Sequence, residues 1–334
     1  MIYVGINGFG RIGKCLLIQL LEKSEFSIKC INIVGFGIYD IEDYLKRDST
    51  HQYNKNFTFK IISDNEIELN QHKIKIFSDR DPKNLEWKHY NCEYLFDCTG
   101  SFLTKEKCSN YKVDYVIMSA PAKDATPTFI YGVNDDKYSG EKIISASSCT
   151  TNCLAPMLKL LNDNFKITDC VFTTIHAVTS SQFTVDINET KSRTSRSILN
   201  NIIPHTTGAS SSIYSVLPEL NGLVNGTSLR VPVLNCSLID VNIQLLNKNI
   251  KLNDIKETII SNKFYSNIYD INDKNRVSCD FITTTTPTIL DTKASMDLGM
   301  GKFKLMIWYD NEWSYSAQLI RLCKSMSIFN NNLN

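Results

Sequence analysis

Hydrophobic positions change their period near the middle of the chain. Ile2 to Ile6 is a short apolar run, Gly8 to Gly13 a glycine turn, and Ile12, Leu16, Leu17, Leu20 and Leu21 then recur at helical spacing. Ser27 to Val34 reads as a second buried strand, which completes a βαβ unit of about thirty residues. Tyr94 to Cys98, Tyr115 to Met118 and Lys142 to Ser145 are short, apolar and end in small or turn residues, as parallel strands covered by helices do. The first half is therefore predicted to be doubly wound. Beyond about residue 150 the runs lengthen and alternate: Asp169 to Ile175, Thr227 to Pro232, Ser237 to Leu246 and Phe303 to Tyr309. Alternation predicts a mostly antiparallel sheet with one covered face. Leu252 to Lys263 and Tyr315 to Met326 have helical spacing, the second returning to the first domain. Glu189 to Ser197 (ETKSRTSRS) has no apolar period and is predicted to be a long exposed loop; Asn330 to Asn334 is a polar tail expected to fray.

Composition narrows the class. The chain has 334 residues, 43% of them hydrophobic, with 36 Lys+Arg against 35 Asp+Glu. That length suggests two domains and the apolar fraction excludes a disordered chain. A net charge of +1 gives no global field for nucleic acid or an anionic membrane, so neither is expected as a partner. No apolar stretch reaches the length of about 18 residues that spans a bilayer, and the N-terminus lacks the pattern of a signal peptide, which predicts a cytoplasmic protein. Eleven scattered cysteines without a C-x-x-C array argue against a disulfide scaffold or a zinc ribbon, and no metal is expected.

Two constellations carry chemistry. Gly8, Gly10 and Gly13 form G-x-G-x-x-G between a strand and a helix. The first glycine permits the turn, the second lets backbone approach a pyrophosphate, and the third allows close helix–strand packing, with the helix N-terminus facing the phosphates. A dinucleotide-binding Rossmann domain follows. The carboxylate that usually ends the second strand and binds the adenosine ribose is absent, because that strand ends Asn32, Ile33, Val34, Gly35. Its absence predicts dinucleotide binding weaker by about tenfold to a hundredfold, and it leaves NADP admissible beside NAD. The second constellation is Ser147 to Cys153 (SSCTTNC), which places Cys149 at a strand-to-helix junction where a helix N-terminus is expected to lower the thiol pKa. Cys149 and Cys153 share a helical face, but no second pair with zinc-like spacing exists. His176 ends a predicted strand and is the candidate partner for Cys149 in Cys–His covalent catalysis. Ser148, Thr150, Thr179, Ser181, Thr206, Thr207, Gly208 and Arg230 supply the hydroxyls, backbone and guanidinium of a phosphate site.

SSCTTNC at Cys149, HAVTSSQ at His176, NIIPHTTGA at Asn201, PELNG at Pro218, RVPVLN at Arg230 and WYDNEWSYS at Trp308 together resemble the phosphorylating glyceraldehyde-3-phosphate dehydrogenase family. NGFGRIG, DSTH, RDP, CTG and SAP extend the match through the first half. The resemblance implies a Rossmann domain over 1–148 and 313–334 and an α+β catalytic domain with a mostly antiparallel sheet over 149–312. It implies glyceraldehyde 3-phosphate, inorganic phosphate and NAD as ligands, and a homotetramer. Cys149 and His176 would be catalytic. Gly8, Gly10, Arg11, Ile12, Gly13, the Ile33 position, Arg80, Thr99, Ser119, Asn311 and Tyr315 would bind the coenzyme. Ser148, Thr150, Thr207 and Gly208 would hold the attacking phosphate, and Thr179, Ser181 and Arg230 the substrate's own.

Departures from the family pattern are Ile33 for Asp, Ala146 for Asn, Ser211 for Lys, and a loop from Asp186 to Asn201 that is one residue short. Lys191, Arg193 or Arg196 in that loop could reach a neighbouring subunit's coenzyme and compensate for Ile33. Another aldose-phosphate dehydrogenase, of the erythrose-4-phosphate type, is the alternative activity; the TTGA turn, which supplies an inorganic-phosphate site, argues against it. A member reduced to protein or RNA interaction is the non-enzymatic alternative, favoured by Ile33 and opposed by the intact Cys149 and His176.

Overall fold

The computed structural model describes residues 1–51, 56–188, 192–262 and 266–332. By internal contacts the chain divides into Met1–Ser148 with Ser316–Asn334, and Cys149–Tyr315.

The first unit contains β1 (Ile2–Asn7), α1 (Arg11–Leu20), β2 (Phe26–Asn32), α2 (Ile41–Lys46), β3 (Phe59–Ser63), β4 (Glu66–Leu69), β5 (His72–Phe77), β6 (Tyr94–Asp97), α3 (Lys105–Cys108), β7 (Tyr115–Met118) and β8 (Ile143–Ser145). Its sheet runs β3-β4-β5-β2-β1-β6-β7-β8, parallel from β5 to β8. Strand order reverses beside β1, where doubly wound sheets bind ligands at the carboxyl ends of the strands. The antiparallel meander β3-β4-β5 is an addition that the apolar pattern did not predict. Its strands are short and carry Lys and Glu, although Ile67, Leu69 and Ile74 are fully buried.

The glycine turn has steric causes. Gly8 has φ +91°, and a Cβ there would meet the backbone at Cys98 and Thr99 at 3.0 Å. A Cβ at Gly13 would lie 2.1 Å from the Gly8 carbonyl oxygen, so only glycine lets α1 pack this closely on β1. Leu16, Leu17 and Leu20 then bury the apolar stripe of α1.

The second unit contains α4 (Cys149–Phe165), β9 (Ile167–His176), β10 (Ile203–His205), α5 (Ala209–Val216), β11 (Val224–Arg230), β12 (Ser237–Leu245), α6 (Leu252–Ser261), β13 (Tyr269–Asn272), β14 (Thr288–Gly299) and β15 (Lys302–Tyr309). Its sheet runs β10-β11-β9-β12-β15-β14-β13 and is mostly antiparallel, the exceptions being the parallel pairs β11–β9 and β13–β14. The last helix, α7 (Trp313–Asn331), begins in this unit and contributes its remaining turns to the first. It runs through Asn330 into the segment expected to fray, with Asn330 donating to the Tyr94 hydroxyl at 2.9 Å.

Alternation along the second sheet places the chemistry. Cys170, Phe172, Thr174 and His176 occupy successive buried positions of β9, and α4 packs on β9, β12, β15 and β14. Arg230 pairs in register with His176, and Ser237 with Tyr309. The face is mostly apolar and turns polar toward one end, with Thr174 and Ser228 and then, in the last row, Arg230, His176, Ser237 and Tyr309 from β11, β9, β12 and β15.

Candidate active site

Cys149 is the first residue of α4, and its Sγ lies 3.4 Å from His176 Nε2. The residue before Ser148, Ser147, has φ 59°, the left-handed region that an L side chain enters at a cost of about 1–2 kcal/mol. That turn, tied by the Ser147 N–H to Ser145 Oγ at 3.0 Å, takes the chain from β8 into the α4 segment.

The imidazole is buried, edge-on to the Tyr309 ring. Its Nδ1 lies 2.7 Å from the Ala177 carbonyl oxygen and 2.6 Å from an Arg230 guanidinium nitrogen. Burial, then the Arg230 charge, depress His176 to about 3, while the Ala177 carbonyl acts in the other direction. Burial also raises the Cys149 thiol; Arg230 and hydrogen bonds from Thr150 oppose it without winning. The expectation of a thiol depressed by the helix N-terminus is thus corrected: desolvation outweighs it. Both shifts disfavour ionising either group alone.

Two residues that motif reading missed complete the arrangement. Tyr309 Oη bridges the hydroxyls of Thr150 (3.0 Å) and Thr174 (3.1 Å) deep under the helix. Ser237 Oγ accepts the Ala177 N–H at 3.0 Å and donates to Asn311 Oδ1 at 2.8 Å. Tyr309 lies inside the WYDNEWSYS motif without a role legible there, and no motif signals Ser237, because each acts across strands at the end of the sheet. Asp310 fixes the start of α7 by accepting from the Glu312 and Trp313 N–H groups, at 2.9 and 2.8 Å.

The candidate anion ligands separate into groups. Thr179 and Ser181 share a 2.9 Å hydrogen bond and are ordered by Gln182, whose Oε1 accepts from the Thr179 N–H and hydroxyl. Arg230 touches His176 and Ala177, and no hydrogen bond among the described residues ties it to Thr179 or Ser181. Thr207 and Gly208 stand at the N-terminus of α5, where Thr207 Oγ1 accepts from the Ala209 N–H at 3.2 Å. Such a terminus offers unpaired backbone donors to an anion. Ser148 belongs to the first unit.

Two family descriptions match this chain: "Glyceraldehyde 3-phosphate dehydrogenase, NAD binding domain" over residues 2–105 and "Glyceraldehyde 3-phosphate dehydrogenase, C-terminal domain" over 148–311. The protein named glyceraldehyde-3-phosphate dehydrogenase in Shimwellia blattae is 39% identical over 333 residues, covering 98% of this chain and 99% of that one. The chain belongs to the glyceraldehyde-3-phosphate dehydrogenase family. Glyceraldehyde-3-phosphate dehydrogenase 1 of Kluyveromyces lactis is 36% identical, covering 98% of this chain and 100% of its own, and glyceraldehyde-3-phosphate dehydrogenase 2 of Drosophila melanogaster is 38% identical, covering 97% and 98%.

The first unit of this dehydrogenase-family chain fits a dinucleotide. A Cβ at Gly10 would meet nothing within 4 Å, and Gly10 opens α1 with no side-chain cap and no acid in the first turn. That leaves space and N–H groups for a pyrophosphate. The Arg11 guanidinium is instead engaged by Asp48 at 2.6 Å, and Lys14 meets the same carboxylate at 2.9 Å, so Arg11 and Ile12 offer a coenzyme their backbone. Thr99 is held by Asp97, its hydroxyl donating at 2.7 Å, and Ser119 continues β7 by donating its N–H to the Asp97 carbonyl. Burial raises Asp97 to about 6 despite the Thr99 bonds.

The adenosine side shows what Ile33 changes. Its side chain is 1% exposed, so it packs inward and offers a ribose no polar contact. Asn32 instead clamps the loop after β5, donating to the Asp79 carbonyl at 2.8 Å and accepting the Asp79 N–H at 3.1 Å. Arg80, next in that loop, is exposed and without an ion-pair partner among the described residues. In the loop proposed to compensate, Arg196 is paired with Asp186 at 2.8 Å, Arg193 opens a short 3-10 turn ending at the buried Ser195, and Lys191 lies outside the described residues. The loop is therefore less uniformly exposed than its polarity predicts. No helix among the described residues is long and apolar enough to cross a membrane.

Proposed function

We propose that this protein oxidises D-glyceraldehyde 3-phosphate with NAD and inorganic phosphate to 1,3-bisphosphoglycerate, the oxidative phosphorylation step of glycolysis and gluconeogenesis. The observation that carries the reading is the 3.4 Å approach of Cys149 Sγ to His176 Nε2, beside Arg230 at the same sheet end. In this reading 1–148 and 313–334 bind the coenzyme and 149–312 perform the chemistry, in a cytoplasmic homotetramer.

Cys149 Sγ attacks the aldehyde carbon as its proton passes to Nε2. The Cys149 N–H and the imidazolium hold the oxyanion. The imidazolium gives that proton to the oxyanion, which completes a thiohemiacetal, and Nε2 takes it back as the carbon is oxidised. NAD, when bound, supplies the acceptor for the hydride leaving that carbon. Asn311, its Oδ1 engaged by Ser237, would orient the nicotinamide carboxamide, and Tyr315 would flank the ring. Gly8, Gly10, Arg11, Ile12, Gly13, Arg80, Thr99 and Ser119 would hold the remainder of the coenzyme. Thr179, Ser181 and Arg230 bind the substrate phosphate. Phosphate held by Ser148, Thr150, Thr207 and Gly208 then attacks the thioester carbonyl, and sulfur leaves as thiolate. The test is reduced-nicotinamide formation from glyceraldehyde 3-phosphate, with phosphate present and omitted. Phosphate-dependent turnover that Cys149→Ser abolishes is expected; turnover indifferent to phosphate overturns the reading.

A further inference from the structure

At the foot of the glycine turn lies a row of polar side chains that no step of the proposed chemistry uses. Asn32, Asn7 and Asp97 are register partners at the carboxyl ends of β2, β1 and β6, and all three are buried. Asn32 Nδ2 donates to Asn7 Oδ1 at 2.8 Å, Asn7 Nδ2 donates to the Tyr111 hydroxyl at 2.6 Å, and that hydroxyl bonds to the Asp97 carboxylate. Tyr111 follows α3 and is 5% exposed. Backbone fixes the direction of the whole chain. The Asp79 N–H can only donate, and it donates to Asn32 Oδ1, so Asn32 turns Nδ2 toward Asn7. Asn7 then presents Oδ1 to Asn32 and Nδ2 to the phenol, whose one O–H is left for Asp97. Asp97 Oδ1 also accepts the Thr99 N–H at 3.1 Å and the Thr99 hydroxyl at 2.7 Å.

Each of these partners of Asp97 is a donor, and the chain requires an acceptor at its end. A proton on the carboxyl finds no acceptor unless a hydroxyl turns round. Tyr111 could not turn without breaking this order, because Asn7 Nδ2 already donates to it. The change falls on the Thr99 hydroxyl, which orders its own turn by accepting the Ser101 N–H at 3.1 Å. Both ends of the chain border the coenzyme site. One is the loop after β5, which carries Arg80, and the other is the turn after β6, which carries Thr99. Between them the Gly8 N–H donates to the Asn32 carbonyl at 3.1 Å and the Cys98 N–H to the Asn7 carbonyl at 2.7 Å, so the glycine turn is pinned to the same row.

We infer that Tyr111 is a positioning residue for the coenzyme: it closes the hydrogen-bond chain from Asn32 to an ionised Asp97, which sets the Arg80 loop, the glycine turn and the Thr99 turn in one arrangement. The inference rests on the reading of Arg80 and Thr99 as coenzyme ligands. A proton taken up by Asp97 undoes the arrangement, and by linkage coenzyme binding returns that proton to solvent. Burial raises Asp97 to about 6, with the Thr99 and Tyr111 bonds opposing it. The other titratable groups against Asp97 are Cys98 at its own strand end, Cys108 on α3 and Tyr111. Burial pushes both thiols up to about 12 and raises the phenol. Asn7 on β1 and Met118 on β7, its partners across the sheet, carry no charge. Asp97 is thus the member of this set that changes charge between pH 5 and pH 8.

Calorimetric titration of the full chain with NAD, from pH 5 to pH 8.5, reads the coupling without turnover. NAD is the probe because it lacks the monoester phosphate of NADP, which itself titrates at about pH 6. The parent protein is expected to bind about tenfold more weakly at pH 5 than at pH 8, with proton release on binding seen as a dependence of the heat on buffer ionisation enthalpy. Tyr111→Phe removes a donor to the carboxylate, so its inflection is expected about one to two pH units higher. Asp97→Asn is expected to bind weakly at every pH, with no inflection. An affinity of the parent that is constant across the range overturns the inference and leaves the coenzyme site standing. So does an inflection that Tyr111→Phe leaves in place or that Asp97→Asn retains. Should one variant not fold, the parent and the other variant decide. An NAD affinity indifferent to Thr99→Ala would overturn the inference together with the ligand reading beneath it.

Discussion

Replacing Ser237 by Ala removes one hydroxyl and disconnects two parts of the chemistry. Ser237 is 1% exposed, accepts the Ala177 N–H at 3.0 Å and donates to Asn311 Oδ1 at 2.8 Å. The first bond steadies the residue whose carbonyl faces His176 Nδ1; the second tells the Asn311 amide which way round to sit. The Ala177 N–H would be left buried and unpaired, a cost of about 1–3 kcal/mol. That lowers the melting temperature by about 2–10 °C. The Asn311 amide would lose a neutral hydrogen bond worth about 1 kcal/mol, which corresponds to about fivefold in correctly oriented population and in rate. The assay is steady-state kinetics with NAD varied, using both protiated and C1-deuterated glyceraldehyde 3-phosphate. A fall of about twofold to tenfold in kcat/KM for NAD, with a larger deuterium isotope effect on kcat, is expected. A melting temperature lowered as stated, with kcat/KM and the isotope effect unchanged, would refute the reasoning, since Asn311 would then be oriented by something other than Ser237.

Further outcomes follow from burial and pairing. His176 sits near pKa about 3 in the fold against 6.5 unperturbed, so between those values the unfolded chain binds a proton the fold refuses. This contribution is fully present above about pH 6.5 and is lost as pH falls toward about 3. Melting curves should therefore show His176→Asn gaining on the parent protein between pH 7 and pH 4; a constant gap would contradict the burial of the ring. Asp48→Ala should destabilise the first unit by about 3–5 kcal/mol, read by urea unfolding, because Lys14, 2% exposed, would keep the Tyr44 and Arg47 carbonyls and the Tyr44 ring but no counter-charge. Ile33→Asp should lower the melting temperature of the coenzyme-free protein, since a carboxylate would replace a buried side chain, yet tighten NAD by about tenfold to a hundredfold in calorimetry; weaker NAD binding in the variant would show that the ribose lies elsewhere.

What could be read from the amino-acid order was whatever a local pattern encodes. Gly8, Gly10 and Gly13 announce their turn because each glycine answers a steric demand from its neighbours. The strands β9, β12 and β15 alternate cleanly because one face packs on α4. By contrast β13 and the first half of β14 carry Asp and Thr, and Asp291 is buried by bonds from Asn272 and Trp308 rather than by apolar packing, so no period marks them. α5, with ASSS in its first turn, was hidden by residues that serve as well in turns. Cys149, His176 and Arg230 were legible as motifs. Their mutual arrangement was not, because the register that pairs Arg230 with His176 and Ser237 with Tyr309 joins segments far apart in the chain. The direction of the Cys149 shift was misread for a related reason: a helix N-terminus is visible in sequence, whereas the depth at which it is buried is not.

That depth governs the chemistry. Loss of water around Sγ outweighs the Arg230 charge and the Thr150 donors, and the same loss keeps His176 uncharged. Ionising either group alone in such a place is costly. Passing one proton across the 3.4 Å from sulfur to Nε2 leaves the pair's net charge unchanged, and the resulting ions attract each other more strongly than they would in water. Arg230 favours the thiolate half of that pair and opposes the imidazolium half. Its guanidinium touches the ring at Nδ1, while Sγ lies beyond Nε2 on the other side. The opposition is therefore the closer interaction, and it weakens more than the support does when an anion neutralises Arg230. A phosphate on the substrate consequently favours the ion pair even though it brings negative charge toward a thiolate.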